Sequence, residues 1–153
     1  MPPPSLTDLL LHDTGRPVRA TAVLRIALAA VFIQAGAGKF VDHGSYIERF
    51  ERWGFGLAPG AAVVVAGTAE LLGGAALLAN LAPRASALGL GGLMTVALIS
   101  AGPLDGGRAV WLPVMLMAGL GVIVAAGGGR LRAAPGTARR TAAVSPPARR
   151  RRP

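Results

Sequence analysis

Residues 61–81 read AAVVVAGTAELLGGAALLANL. The stretch carries one charged side chain, Glu70, near its middle, and no Pro, Asp, Lys or Arg. About twenty such residues are what an α-helix needs to cross a bilayer. A carboxylate at that depth is costly in hydrocarbon and is expected to face a partner or a water-filled space. At helical spacings of three and four, Glu70 is flanked by Ala66, Gly67, Gly73 and Gly74, all small. The acid is therefore expected on a smooth stripe that another helix approaches closely.

Working outward, residues 20–40 form a first apolar span, with Arg25 about one turn inside its start and Lys39 at its far end. A cleaved leader ending near Gln34-Ala35-Gly36-Ala37 is the competing reading, but Asp8 and Asp13 fit the basic start of such a leader poorly. Between the two spans, Tyr46, Ile47, Phe50 and Trp53 recur at helical spacing, with Glu48, Arg49, Glu51 and Arg52 opposite. This predicts a short amphipathic helix whose Tyr46, Phe50 and Trp53 suit the headgroup layer. Further spans are expected over 85–101 and 109–126, separated by Gly102-Pro103 and Asp105-Gly106-Gly107-Arg108. The fold class is thus an all-α membrane protein: four transmembrane helices in an antiparallel bundle, with an interfacial helix between the first two.

Three segments follow: 1–19 at the N-terminus, 20–126 as the transmembrane domain, and 127–153 as a tail. Ser5 and Asp8 have the form of a capping box before Leu9, Leu10 and Leu11, a short helix that Gly15 and Pro17 would end, lying on the membrane or fraying. The tail is rich in Gly, Ala, Pro and Arg and is expected to be disordered. Four crossings put both termini on one side. Arg16, Arg19, Arg84 and the tail arginines mark that side as cytoplasmic, because basic residues concentrate inside. Arg84 is placed in the cytoplasmic turn.

Composition agrees. Of 153 residues, 52% are hydrophobic and 15% charged, where a soluble domain carries about 25%. The net charge is +9, but eight arginines beyond residue 127 account for all but +1 of it (9 − 8 = 1). Basicity that belongs to a tail rather than a folded face does not read as a nucleic-acid footprint, so no nucleic-acid partner is expected. The tail is either an anchor for anionic lipid or charge that only sets topology. With no cysteine, the chain offers no disulfide, thiolate metal site or thiol nucleophile. No metal site is expected. His12 and His43 both lie outside the spans, so no helix supplies a pair of haem ligands; His43 beside Asp42 is a loop residue or a proton-responsive group.

At 100° per residue Arg25, Ala29, Phe32, Gly36 and Lys39 share one face of the first span, with Gln34 opposite. If the spans end near residues 20 and 81, Arg25 lies roughly 7 Å and Glu70 roughly 16 Å from the inner end. An Arg25–Glu70 pair is the expected contact, against a snorkelling Arg25. Lys39 reads first as an interface anchor and second as part of an intramembrane polar site with Glu70, Arg25 and Gln34. Gln34 would bond another helix or a second subunit. Gly36-Ala37-Gly38-Lys39 is not a phosphate-binding loop, because Ile33 and Phe40 stand where that motif needs Gly and Ser or Thr. Gly89, Gly91, Gly92, Gly119 and Gly121 read as helix-packing surface.

Leu24-Arg25-Ile26-Ala27-Leu28, Phe32 and Gly36-Ala37-Gly38-Lys39-Phe40 resemble the first helix of DoxX-like membrane proteins. The sequel agrees in order and spacing: Trp53-Gly54-Phe55, then Ala69-Glu70-Leu71-Leu72-Gly73-Gly74, then Pro83-Arg84-Ala85. The resemblance covers about residues 23–101. It departs at Ala29 and Ala30, where a Gly is expected, and it does not reach the fourth span or the tail. It implies a small four-helix protein of the bacterial inner membrane, with Arg25, Lys39, Glu70 and Arg84 at the family's polar positions. Some members are linked to oxidoreductase systems and pass electrons to quinone. Three functions are expected in that order: a redox-associated subunit that binds quinone and docks an oxidoreductase partner; an oligomeric proton or solute transporter; and a non-catalytic scaffold. None makes the chain an autonomous enzyme. Membrane lipids and further copies of the chain are the other expected partners.

Overall fold

The computed structural model describes residues 19–104 and 110–129. Within them the chain forms five helices and no strand: α1 Arg19–Val41, α2 His43–Arg52, α3 Pro59–Leu78, α4 Pro83–Ala101 and α5 Trp111–Ala126. The expected N-terminal helix, the 105–108 turn and the tail beyond residue 129 lie outside the described residues. Three helices, α1, α3 and α4, are long and apolar enough to cross a membrane. At 16 residues, α5 is apolar but shorter.

Local chemistry explains the boundaries. Pro59 and Pro83 open α3 and α4 at positions whose N–H has no helical partner to lose. Two helices end in the same six-residue closure, the Schellman motif. At the end of α2, Phe55 N–H donates to Phe50 O and Gly54 N–H to Glu51 O, with Gly54 at φ +92°. At the end of α3, Leu81 N–H donates to Ala76 O and Asn80 N–H to Leu77 O, with Asn80 at φ +56°. Gly and Asn are the residues that adopt this left-handed backbone most readily. The second span expected to run to Leu81 therefore stops at Leu78.

The buried face of α1 comprises Thr21, Ala22, Arg25, Leu28, Ala29, Phe32, Gly36 and Lys39, the stripe expected at 100° per residue. Gly36 lies against the backbone of Gly67 and Leu71, and Gly74 against Ala29 and Ile33. These contacts make α1 and α3 antiparallel and fix their register. The small stripe around Glu70 serves two neighbours, because Gly73 turns instead to Leu90 of α4. Contacts join α1 to α3, α3 to α4, α4 to α5 and α5 to α1, and none links α1 with α4 or α3 with α5. The helices form a four-membered ring, with α1–α3 and α4–α5 the tightest pairs.

The glycines expected to pack helices divide. Gly119 fits against Leu28, as that reading requires. Gly89, Gly91, Gly92 and Gly121 do not: a Cβ at any of them would meet nothing within 4 Å. No neighbouring helix reaches these four positions closely, which composition alone does not reveal.

Candidate functional site

The two intramembrane charges that meet are Lys39 and Glu70. Lys39 Nζ donates to Glu70 Oε2 at 2.6 Å, with the two side chains 10% and 5% exposed. The register accounts for this. Gly36 opposite Gly67–Leu71 and Gly74 opposite Ala29–Ile33 place Glu70 level with about Ala35. Lys39 is then one helical turn away, about 6 Å along the axis, within reach of a lysine side chain.

The expected Arg25–Glu70 pair is not formed. In the same register Arg25 lies level with about Asn80, ten residues or about 15 Å from Glu70 along the axis. Arg25 instead donates through Nε to Gly128 O at 2.9 Å, and through Nη1 to Leu78 O at 2.8 Å and to Leu77 O. It does not snorkel either, being buried at 6% exposure. Arg84 behaves alike: expected in the cytoplasmic turn, it is buried in the first turn of α4 and donates through Nε to Val124 O at 3.0 Å. Each arginine supplies donors to carbonyls at the C-terminus of a neighbouring helix, where the last turn lacks partners and the helix dipole is negative. Gln34 lies exposed, away from the Lys39–Glu70 pair. Lys39, read first as an interface anchor, belongs to the site.

The aromatic face of α2 folds down over the pair. The Tyr46 ring lies 5.2 Å from Lys39 Nζ and 5.1 Å from Arg49 Cζ, so it is held between two cations. Phe50 is buried and stacks at a tilt on Trp53, at 5.4 Å, and on Phe55, at 5.1 Å. The Phe50–Phe55 contact accompanies the closure of α2 at Gly54, which gives the Trp53-Gly54-Phe55 stretch a structural reason. Expected at the headgroups, these rings pack on Val63 and Ala66 of α3.

Beneath this roof is a cavity of about 650 Å³, lined by residues of all five helices. Lys39, Glu70 and Tyr46 contribute its charged and phenolic groups, and Phe32, Met94 and Leu116 its apolar wall. A large apolar pocket with a few convergent polar groups is the usual form of a small-molecule site. The sequence gives no direct sign of Phe32, Met94, Leu116 or Phe55 as lining. The Lys39–Glu70 contact was within reach: setting Gly36 against Gly67 and Leu71 brings Lys39 to Glu70. Among the described residues no three His, Asp or Glu side chains converge as a metal-holding group.

A planar quinone fits these residues. Its carbonyl oxygens accept hydrogen bonds, for which Lys39 and Tyr46 hold donors, and its ring is apolar enough for walls of Phe50, Trp53 and Met94. Compared with known proteins, the chain matches the family model described as DoxX over residues 20–103, more than half its length. No curated protein and no solved structure gives a match.

Proposed function

The chain belongs to the DoxX family, and from that premise we propose that it is a redox-associated membrane subunit whose cavity holds a quinone headgroup against Lys39 and Glu70. The observation that carries this reading is a buried ion pair opening into an apolar, aromatic-roofed cavity. An ammonium has three N–H donors. One goes to Glu70 Oε2, which leaves donors to meet a quinone carbonyl oxygen. Tyr46 holds the ammonium by its ring and lines the same cavity. Glu70 is the group that takes or returns a proton at its carboxylate oxygens. When bound, the quinone supplies two-electron, two-proton chemistry, and a separate oxidoreductase partner delivers the electrons.

In this reading α5 makes a fourth crossing, and the four spans form an antiparallel bundle in the bacterial inner membrane with both termini cytoplasmic. The transmembrane domain is 20–126, flanked by 1–19 and a 127–153 tail. A second copy of the chain joins it in the membrane. A transport path through the ring is disfavoured, because Arg25 and Arg84 tie the opposite end to Leu77, Leu78, Val124 and Gly128.

Trp53 lines the cavity and reports on it. With Trp111→Phe removing the other tryptophan, which is 73% exposed, a benzoquinone should quench Trp53 fluorescence saturably. Lys39→Met should weaken the apparent affinity about tenfold. Quenching that rises linearly and identically in both proteins would overturn the reading.

A further inference from the structure

The large cavity is not the only hollow. A second, of about 210 Å³, lies in the seam between α3 and α4, lined by Ala69, Gly73, Ser86, Gly89, Leu90 and Leu93. Leu93 lines both hollows. The large cavity reaches the same seam beside Ala62, Val65 and Ala66 of α3 and Val96, Ala97 and Ser100 of α4. From Ser100 to Gly89 the two together follow α4 for eleven residues, about 16 Å.

This path suits hydrocarbon. Its walls include the small residues Ala62, Ala66, Ala69, Gly89 and Ala97, while Leu90 packs into the space at Gly73. Its hydroxyls are satisfied locally: Ser86 Oγ donates to Leu81 O at 3.1 Å and Ser100 Oγ to Val96 O at 2.7 Å. Its edge faces outward, with Val65 68% and Val96 50% exposed. The large cavity also meets α1 and α5, beside Val31, Ala35, Leu112 and Leu116, but the second hollow continues it only along α3 and α4.

We infer that the α3–α4 seam is the tail groove of the Lys39–Glu70 site, which makes the ligand a quinone with an alkyl or isoprenoid tail that enters sideways from the bilayer. The inference rests on the quinone reading and adds the class of quinone and its route. The headgroup lies under Tyr46, and the tail passes Leu93 toward Gly89. Gly89 and Ala69 are specificity-determining residues: Gly89 lies along α4 from the ion pair, and Ala69, although next to Glu70 in sequence, lines the groove and not the headgroup cavity.

The test compares a tailless benzoquinone with its decyl-tailed analogue, both read by Trp53 quenching in the Trp111→Phe protein. Gly89 lines the groove and a Cβ there meets nothing within 4 Å, so Gly89→Leu is chosen to extend a side chain into it. Gly89→Leu should weaken the tailed quinone about tenfold and leave the tailless one within about twofold. Ala69→Leu, on the opposite wall, should do the same. A decyl quinone with a photoreactive group on its tail should label residues 62–73 and 86–100, and unlabelled decyl quinone should suppress that labelling. Equal loss of both quinones, no loss of either, labelling centred on Val31 and Leu112, or labelling that excess quinone does not suppress would each overturn the groove. In all four outcomes the headgroup site stands if the tailless quinone still binds wild type. Absence of saturable binding by either quinone removes the headgroup site and the groove together.

Discussion

At the scale of single residues, the chain sorts its intramembrane charges into two kinds. Lys39 and Glu70 satisfy each other, whereas Arg25 and Arg84 satisfy backbone. The two kinds should answer differently to substitution. Glu70→Leu or Lys39→Met alone leaves a buried charge without its partner, which costs about 3–5 kcal/mol. The double variant Lys39→Met with Glu70→Leu should lose much less than the sum, because no charge remains to strand. Reversible unfolding in mild detergent measures all three; strictly additive losses would contradict the pair. Arg25→Ala removes charged donors from the ends of α3 and α5 and should cost about 2–3 kcal/mol. It should leave benzoquinone affinity within about twofold, because that residue lies far from the ion pair. Glu70 was legible as the organising residue from its position in an apolar run. Setting residues 20 and 81 level misassigns its partner: the Gly36 and Gly74 contacts place Leu81 level with about Leu24, which moves Arg25 and Glu70 about 6 Å further apart. The signal that corrects this, Gly36 as the contact point with Gly67 and Leu71, is in the sequence.

At the scale of elements, glycine has three different roles, and the sequence distinguishes them only in part. Gly36 permits the α1–α3 approach: a Cβ there would lie 2.7 Å from Gly67 O and 3.0 Å from Leu71 N, both backbone atoms that cannot swing aside. Gly36→Ala should therefore destabilise by about 1–3 kcal/mol through overpacking. Gly92→Ala, with open space around it, should be neutral or stabilising by up to about 1 kcal/mol. Thermal unfolding of the two variants side by side settles the contrast. Gly54 has the third role. Its φ of +92° closes α2, and an alanine there costs about 1–2 kcal/mol. Because that closure sets Phe55 on Phe50, Gly54→Ala should also shift the emission of Trp53, while a silent spectrum would separate the closure from the roof. The helices themselves were legible from hydrophobic runs and Pro and Gly punctuation, and the α1 face from its period. Which glycines meet a neighbour depends on the rotation of α4 and α5, which a nearly uniform apolar surface does not encode.

At the scale of the whole molecule, the ends of the described chain decide how many times it crosses the membrane. Arg25, near the start of α1, donates to Gly128, just past the end of α5, and Arg84, at the start of α4, reaches Val124. The beginning of the first helix and the end of the last therefore lie at one end of the ring. The α1–α2 junction, with Lys39 and Tyr46, lies at the other. A helix of 16 residues is about 24 Å long, short of a hydrocarbon core of about 30 Å. Yet α5 packs along α4 and returns the chain to the Arg25 end, so it should complete a fourth crossing with some local thinning of the bilayer. The chain has no native cysteine, so single cysteines report position without background. In oriented vesicles, an impermeant maleimide should label Ser5→Cys and Ser145→Cys from the same side and Ser45→Cys from the opposite one. Labelling of Ser5→Cys and Ser145→Cys from opposite sides would mean three crossings, with α5 lying along the surface. That outcome would separate α5 from the cavity wall formed by Pro113 and Leu116. It would leave the Lys39–Glu70 pair, which α1 and α3 form alone.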